Sequence, residues 1–206
     1  MSQHSEPSEF QSESPQPDNS NRLAVALSMI FHPYIVFIPP AVIALGVDGL
    51  LWGLFVGAIV VIPIAITVLI QKRSNRFVFQ REARTPLFIV GWLAVWVCFL
   101  LETLLDAPPT IRIGSLVIIL WTPLQFLINT YVTKASIHAS LVAIAFTGLW
   151  ALGHLSNPLV FLLSVLIVIA VGWARKTTRN HTTNQIILGN LTGTLATLLA
   201  FWIFKV

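Results

Sequence analysis

The stretch LLWGLFVGAIVVIPIAITVLI, residues 50–70, contains no charged side chain. About 20 apolar residues in a helix match the ~30 Å hydrocarbon core of a bilayer. Because that core offers no water to the backbone, only helices and closed barrels can cross it. A continuous apolar run of this length therefore predicts a membrane-spanning helix rather than a strand.

Comparable windows cover most of the chain after residue 22. The chain is 56% hydrophobic and only 10% charged, whereas soluble domains carry about 25% charged residues. The sequence therefore predicts an all-α fold, a polytopic transmembrane helical bundle of six or seven spans in a single domain, residues 23–206. Pro39–Pro40 predicts a kink in the first span. The other windows are 23–46, 87–105, 111–132, 157–173 and 185–205, with a shorter one at 139–153.

Residues 1–22 have a different composition from the rest of the chain. They are rich in Ser, Pro, Gln and Glu and contain one aromatic residue, Phe10. Such a segment buries too little apolar surface to fold, so it predicts a disordered tail. It also lacks the basic start of a signal peptide, and no cleavage is expected.

The basic residues are distributed unequally between the two sides of the predicted bundle. Seven spans place the tail and the loops 71–86, 133–138 and 174–184 on one side. Of the twelve Lys and Arg residues, only Arg112 and Lys205 lie on the other. This distribution indicates a basic membrane face rather than a nucleic-acid surface. The positive-inside rule then predicts that the N-terminus and these loops are cytoplasmic.

Three polar segments on this side are candidates for a common site. Guanidinium groups pair bidentately with phosphate oxygens, and two histidines supply a nucleophile and a proton donor near neutral pH. The combination predicts phosphoryl transfer through a phosphohistidine, with no metal and no cofactor. For each loop alone, interfacial anchoring is the alternative. The segments are KRSNRFVFQREARTP (72–86), TKASIHAS (133–140) and WARKTTRNHTTNQIILG (173–189).

The spacing within these segments predicts particular contacts. His181 and Gln185 are four residues apart and would share one helical face. Gln185 would then accept a hydrogen bond from one ring nitrogen of His181 and direct the other toward phosphorus. Lys134 and His138 have the same separation, and the Ser136 hydroxyl between them is a candidate phosphate donor or, alternatively, a helix cap.

In the same order, these residues resemble the three motifs of the type 2 phosphatidic acid phosphatases and related haloperoxidase-fold enzymes. The resemblance covers roughly residues 72–190. It implies that His181 attacks phosphorus and that His138 protonates the leaving lipid alkoxide. It also implies that Arg81, Arg84, Lys134, Ser136 and Arg175 hold the phosphoryl oxygens. The matching stretches are Arg81-Glu82-Ala83-Arg84-Thr85-Pro86, Ala135-Ser136-Ile137-His138, and Ala174-Arg175 followed by His181 and Gln185.

Two positions depart from the family pattern. Gln185 stands where the family has Asp, and Ile137 stands where it has Gly. The expected function is an integral membrane phosphatase acting on phosphatidate, lysophosphatidate or a prenyl (di)phosphate. The alternatives are an inactive relative that binds phosphorylated lipid head groups, and a small membrane transporter. The sequence does not indicate an oligomeric state.

Three further features of the sequence also carry predictions. His32 is expected to be a packing residue in the first span, and His154 an interfacial residue on the opposite side. The small residues Gly189 and Gly193 are four apart and predict close packing of the last span on a neighbour.

Overall fold

The fold is entirely helical, as the sequence predicts. A computed structural model describes residues 21–32, 38–73 and 81–205, and the side chains of residues 72–73 and 81–84 fall outside that description. The described residues form seven helices and no strand. These are α1 (Arg22–Ile30), α2 (Ile38–Arg73), α3 (Arg81–Leu104), α4 (Pro109–Tyr131), α5 (Ile137–Ala151), α6 (Pro158–Thr177) and α7 (Thr183–Phe204).

Five of the described helices are long and apolar enough to cross a membrane, namely α2, α3, α4, α6 and α7. The shorter helix α5 is also apolar. The prediction of a helical membrane protein is therefore confirmed at the level of helix length and composition.

The first two predicted spans differ in detail from the structure. Pro39 and Pro40 lie in the first turn of α2, where proline is tolerated because its missing N–H would be unpaired anyway. The pair therefore does not bend α2 itself, and residues 33–37, which precede it, lie outside the described part of the chain. Within α2 the break lies at Gly46, which adopts φ 62°.

The chain turns back on itself at Gly46. A Cβ atom at Gly49 would stand within 3.0 Å of the Ala41 carbonyl oxygen, and one at Gly53 would stand 3.9 Å from the Ala41 Cβ. A continuous helix would hold these glycines about 12 and 18 Å further along its axis than Ala41. The reversal therefore falls between the predicted windows 23–46 and 50–70.

Helix α1 begins at the end of the predicted tail. The Asn21 side chain accepts a hydrogen bond from the Ala24 backbone N–H at 3.1 Å and caps α1, so Arg22 is already helical. Residues 1–20, which hold the rest of the predicted tail, lie outside the described part of the chain.

Helices α3 and α4 are antiparallel neighbours. The rings of Phe88 and Phe126 meet with centroids 5.8 Å apart near one end, and the Ser115 hydroxyl donates to Glu102 at 2.7 Å near the other. The start of α3 therefore lies at the same end of the bundle as the end of α4. The start of α5 follows α4 after a short loop at that end.

Helix α5 lies at the centre of the bundle and packs most extensively on α7. Gly189 and Gly193 make this approach possible, because a Cβ atom at either would stand within 3.0 Å of the backbone of Ser136 or Ser140. The predicted close packing of this glycine pair is confirmed. The main core cluster is built from Ile113, Val117 and Trp121 of α4, Leu141, Val142 and Ile144 of α5, Val171 of α6, and Ala196, Ala200 and Phe201 of α7.

A buried polar cluster ties α4, α5 and α7 together. The Gln125 side chain is fully buried, and its Oε1 accepts from the hydroxyls of Ser140 at 3.4 Å and Thr192 at 3.3 Å. Its Nε2 donates to the Ala135 carbonyl at 3.0 Å. In an apolar bundle, such interhelical bonds and small-residue contacts replace the hydrophobic driving force. Gln125 thereby fixes the loop that precedes α5.

Candidate active site

Two of the three predicted loops meet at one end of the bundle. The backbone N–H of Ser136 donates to the Gln185 backbone carbonyl at 3.0 Å. The Gln185 side-chain Nε2 donates to the Thr133 hydroxyl at 3.2 Å. These bonds join the α4–α5 loop to the start of α7, as the proposed common site requires.

His181 lies at this junction and is held through one ring nitrogen. Its Nδ1 is 3.2 Å from the Lys134 carbonyl oxygen and 3.3 Å from the Gln185 Oε1. Both neighbours are acceptors, so Nδ1 must carry the proton in the neutral ring. Nε2 then bears the lone pair, which is the state that a nucleophilic histidine requires. The predicted hydrogen bond between His181 and Gln185 is present.

The orientation of the Gln185 amide follows from its other partners. Its Oε1 also accepts the Thr182 backbone N–H at 3.1 Å, while its Nε2 faces the Thr133 hydroxyl. A flipped amide would place two donors together on the Thr182 side, so the oxygen must face His181.

Gln185 also forms a capping box at the start of α7. The Thr182 hydroxyl accepts the Gln185 backbone N–H at 3.4 Å, and the Gln185 side chain accepts the Thr182 N–H in return. A Thr followed three residues later by Gln is a recognisable sequence signature of a helix start. The sequence reasoning did not use this signal, which explains locally why a long amide suits position 185.

His181 is held neutral by its surroundings. Burial lowers its pKa from 6.5 to about 4, and the charges of Arg175 and Lys134 act in the same direction. The hydrogen bonds to Gln185 and to the Lys134 carbonyl partly oppose this shift. The ring is therefore an unprotonated base at neutral pH.

This leads to a spectroscopic prediction. In the detergent-solubilised protein, His181 should titrate near pH 4 rather than 6.5 and should carry its neutral proton on Nδ1. Because the folded pKa is depressed, the contribution of His181 to stability is complete above 6.5 and is lost as pH falls toward 4. Ring ¹⁵N shifts, assigned with His181→Ala, measure both properties. A midpoint near 6.5 would contradict the burial of the ring among cations.

A second prediction concerns Gln185. Gln185→Leu removes the oxygen that accepts from His181 and from the Thr182 N–H. The change should cost about 1 kcal/mol of stability, and His181 should then populate both neutral tautomers. Gln185→Glu keeps the chain length and the acceptor, so it should retain the Nδ1–H tautomer and raise the pKa of His181. Thermal unfolding and ring ¹⁵N shifts test this pair. An unchanged tautomer in Gln185→Leu would mean that the Lys134 carbonyl alone orients the ring.

A cavity of about 250 Å³ lies beside this junction. His138 at the start of α5 and Arg175 in the last turn of α6 both line it. His181 is not among the lining residues, but its neighbour Asn180 is. The Arg175 charge acts on both His138 and His181, so this cation lies near both predicted catalytic histidines.

The remaining predicted phosphate ligands have varied positions. Ser136 is fully buried and accepts the Ala139 N–H at 3.4 Å, so the helix-cap alternative is realised. Donation of its hydroxyl to a phosphate stays a prediction. The Lys134 charge acts on His181. Helix α3 begins at Arg81, but the side chains of Arg81 and Arg84 lie outside the described residues.

Helix α1 contributes residues that the sequence reasoning missed. His32 was expected only to pack, yet it lines the same cavity as His138, and the two rings meet edge to face with centroids 5.8 Å apart. Burial and the Arg175 charge lower the pKa of His32. Ser28 also lines the cavity. The available sequence signal was the four-residue spacing of Ser28 and His32 on an otherwise apolar stretch.

Within the described ranges, no group of three or more His, Cys, Asp or Glu side chains is placed to hold a metal ion. Donors and cations dominate the site instead, which suits an anionic ligand.

Comparison of the chain with models of known protein families, with curated proteins and with solved structures found no match.

Proposed function

We propose that the protein is an integral membrane hydrolase that removes the phosphoryl group from a phosphorylated lipid through a phosphohistidine at His181. The observation that carries this proposal is the tautomer of His181. Two acceptors hold its Nδ1–H and leave the Nε2 lone pair available, with Arg175 and Lys134 supplying positive charge nearby. A neutral, oriented imidazole among cations is suited to attack on phosphorus.

The proposed reaction has two steps. His181 Nε2 forms a bond to phosphorus while the bond from phosphorus to the lipid oxygen breaks, and protonated His138 donates its proton to that oxygen. Water then attacks the phosphohistidine, neutral His138 takes a proton from the water, and orthophosphate leaves. Burial and the charges of Arg175 and the other two histidines lower the pKa of His138 to about 3 in the protein without ligand, so the proton that it donates must arrive with the ligand. The negative charge of a bound phosphate beside the ring favours this protonated form. Arg175 neutralises charge on the equatorial oxygens throughout.

The membrane setting supports a lipid substrate. The site lies where apolar helices end, so the acyl or prenyl chain would remain between helices while the phosphate enters the polar end. The excess of Lys and Arg in the loops on this side supports a cytoplasmic location of the site by the positive-inside rule. Phosphatidate, lysophosphatidate and prenyl (di)phosphates are the substrate class proposed.

The test is phosphate release by the detergent-purified protein with EDTA present. Phosphatidate, lysophosphatidate, and farnesyl and polyprenyl diphosphates would be compared as substrates. Release from at least one of them supports the hydrolase and ranks its substrates. Failure to release phosphate from any of them, with the protein folded, would refute it.

A second candidate function is binding of phosphorylated head groups without turnover. The observation that favours it is that His138 and Arg175 line the cavity, whereas His181 does not. This candidate expects saturable binding of lipid phosphate with no release of phosphate. The transporter alternative would need polar groups that face a pathway, and the hydroxyls of the buried Ser140 and Thr192 instead donate to the Gln125 side chain.

A further inference from the structure

One wall of the cavity is formed by α1 and the residues that follow it. Val25, Ser28, Met29 and His32 face the cavity at helical spacing, opposite His138 and Arg175. None of these four belongs to a segment on which the phosphatase resemblance rests. The edge-to-face contact of His32 with His138 joins this wall to the start of α5.

The hydroxyl of Ser28 is buried and has no hydrogen-bond partner. Hydroxyl groups elsewhere in the helices usually donate to the carbonyl one turn earlier, as Thr122 does to Ile118 at 2.7 Å and Thr178 does to Ala174 at 2.8 Å. An unpaired buried hydroxyl costs about 1–3 kcal/mol. Ser28 therefore lines the cavity and carries a buried donor without a partner.

Arg175, which lines the same cavity, carries a second buried donor without a partner. Its Nε is buried and lacks a hydrogen-bond partner, and the residue lines the cavity together with Ser28. No carboxylate is among the lining residues. Two buried donors, one of them cationic, require an acceptor with several oxygens and negative charge. A phosphoryl group has that chemistry.

We propose that Ser28 is a phosphoryl-binding residue, and that α1 closes the site by placing the Ser28 hydroxyl and the Arg175 Nε on oxygens of the same phosphoryl group. The inference rests on the proposed function in taking the ligand to be a phosphate monoester. It adds a ligand from a helix that lies outside the resembling motifs. The experiment below distinguishes a lipid phosphate from free phosphate as the ligand.

The experiment measures binding and stability separately in the full-length protein. Inorganic phosphate, short-chain phosphatidate in micelles, and phosphatidylcholine of the same chain length as a diester control are titrated into wild type, Ser28→Ala and Ser164→Ala. Ser164 is the matched control, because it is a buried helical serine away from the cavity whose hydroxyl is satisfied by the Phe161 carbonyl at 2.7 Å.

The two variants should behave oppositely. Ser28→Ala should weaken binding of the phosphate monoester about tenfold or more without lowering the melting temperature of the empty protein, since no bond is lost there. Ser164→Ala should lower the melting temperature and leave binding unchanged. Tighter binding of phosphatidate than of inorganic phosphate identifies the lipid as ligand, and equal binding identifies the phosphoryl group alone.

Turnover is measured in the same samples so that the two proposals can fail separately. Binding that depends on Ser28, without phosphate release, refutes hydrolysis and leaves the Ser28 site standing. Wild-type affinity in Ser28→Ala overturns the Ser28 site whether or not phosphate is released. Absence of binding of either phosphate monoester by the wild type also overturns it.

Discussion

His181→Ala should reduce phosphate release by about 10⁴-fold or more, because it removes the atom that we propose forms the bond to phosphorus. The fold should survive, since the ring lies in the α6–α7 loop and its loss removes hydrogen bonds through one nitrogen only. The measurement is steady-state release of phosphate from the best lipid substrate, with circular dichroism and size-exclusion chromatography as checks on folding.

His154→Ala is the matched control for this experiment. His154 is exposed in the turn after α5, at the end of that helix away from the site, so its removal should leave activity within twofold, roughly. Brief reaction with phosphate-labelled substrate should also label the wild-type protein through an acid-labile, alkali-stable bond that is missing from His181→Ala. Full activity in His181→Ala would remove this residue from the nucleophilic role.

Gly193→Ala should destabilise the protein by about 2 kcal/mol or more. A single methyl group at this position would overlap the Ser140 carbonyl, which belongs to the backbone of α5 and cannot rotate away. The helices α5 and α7 would have to separate, and the bonds among Ser140, Thr192 and Gln125 would lengthen. Because Gln125 also holds the Ala135 carbonyl, the damage should extend to the site loop.

Gly148→Ala provides the control, with an effect of opposite sign. Gly148 lies inside α5 with open space where its Cβ would stand, so the better helix propensity of alanine should stabilise by up to about 1 kcal/mol. Thermal unfolding of both variants in the same detergent separates the two effects. Equal stability of Gly193→Ala and wild type would show that α5 and α7 do not pack as closely as described.

The position of Gln185 shows how one residue serves two local requirements. It completes the capping box with Thr182 and accepts the His181 Nδ1–H through the same oxygen. A shorter Asp at this position would reach both partners less well, which gives a structural reason for the longer amide. A negative charge, however, would stabilise the imidazolium better than an amide does.

The sequence by itself determined the class of fold and the local part of the site. Apolar runs of bilayer length leave the backbone no alternative to helices, and the described helices lie where most of these runs predict them. The contact between His181 and Gln185 was predicted from their four-residue spacing. The structure reaches it differently, because His181 lies in the loop before α7 and the Gln185 side chain folds back toward it over the capping box. The close packing at Gly189 and Gly193 was predictable from helix geometry alone, since small residues four apart share a face.

Only the tertiary structure decided which distant segments complete the site. The Lys134 carbonyl that orients His181 lies 47 residues away in the chain, and the approach of Ser28 and His32 to Arg175 depends on how α1 packs on α6. The break at Gly46 could likewise not be predicted, because a uniformly apolar sequence does not indicate where the chain reverses direction. Apolar patterning specifies that a helix enters the membrane, but the choice of neighbour depends on side-chain shape and buried hydrogen bonds, which exist only once the helices are packed.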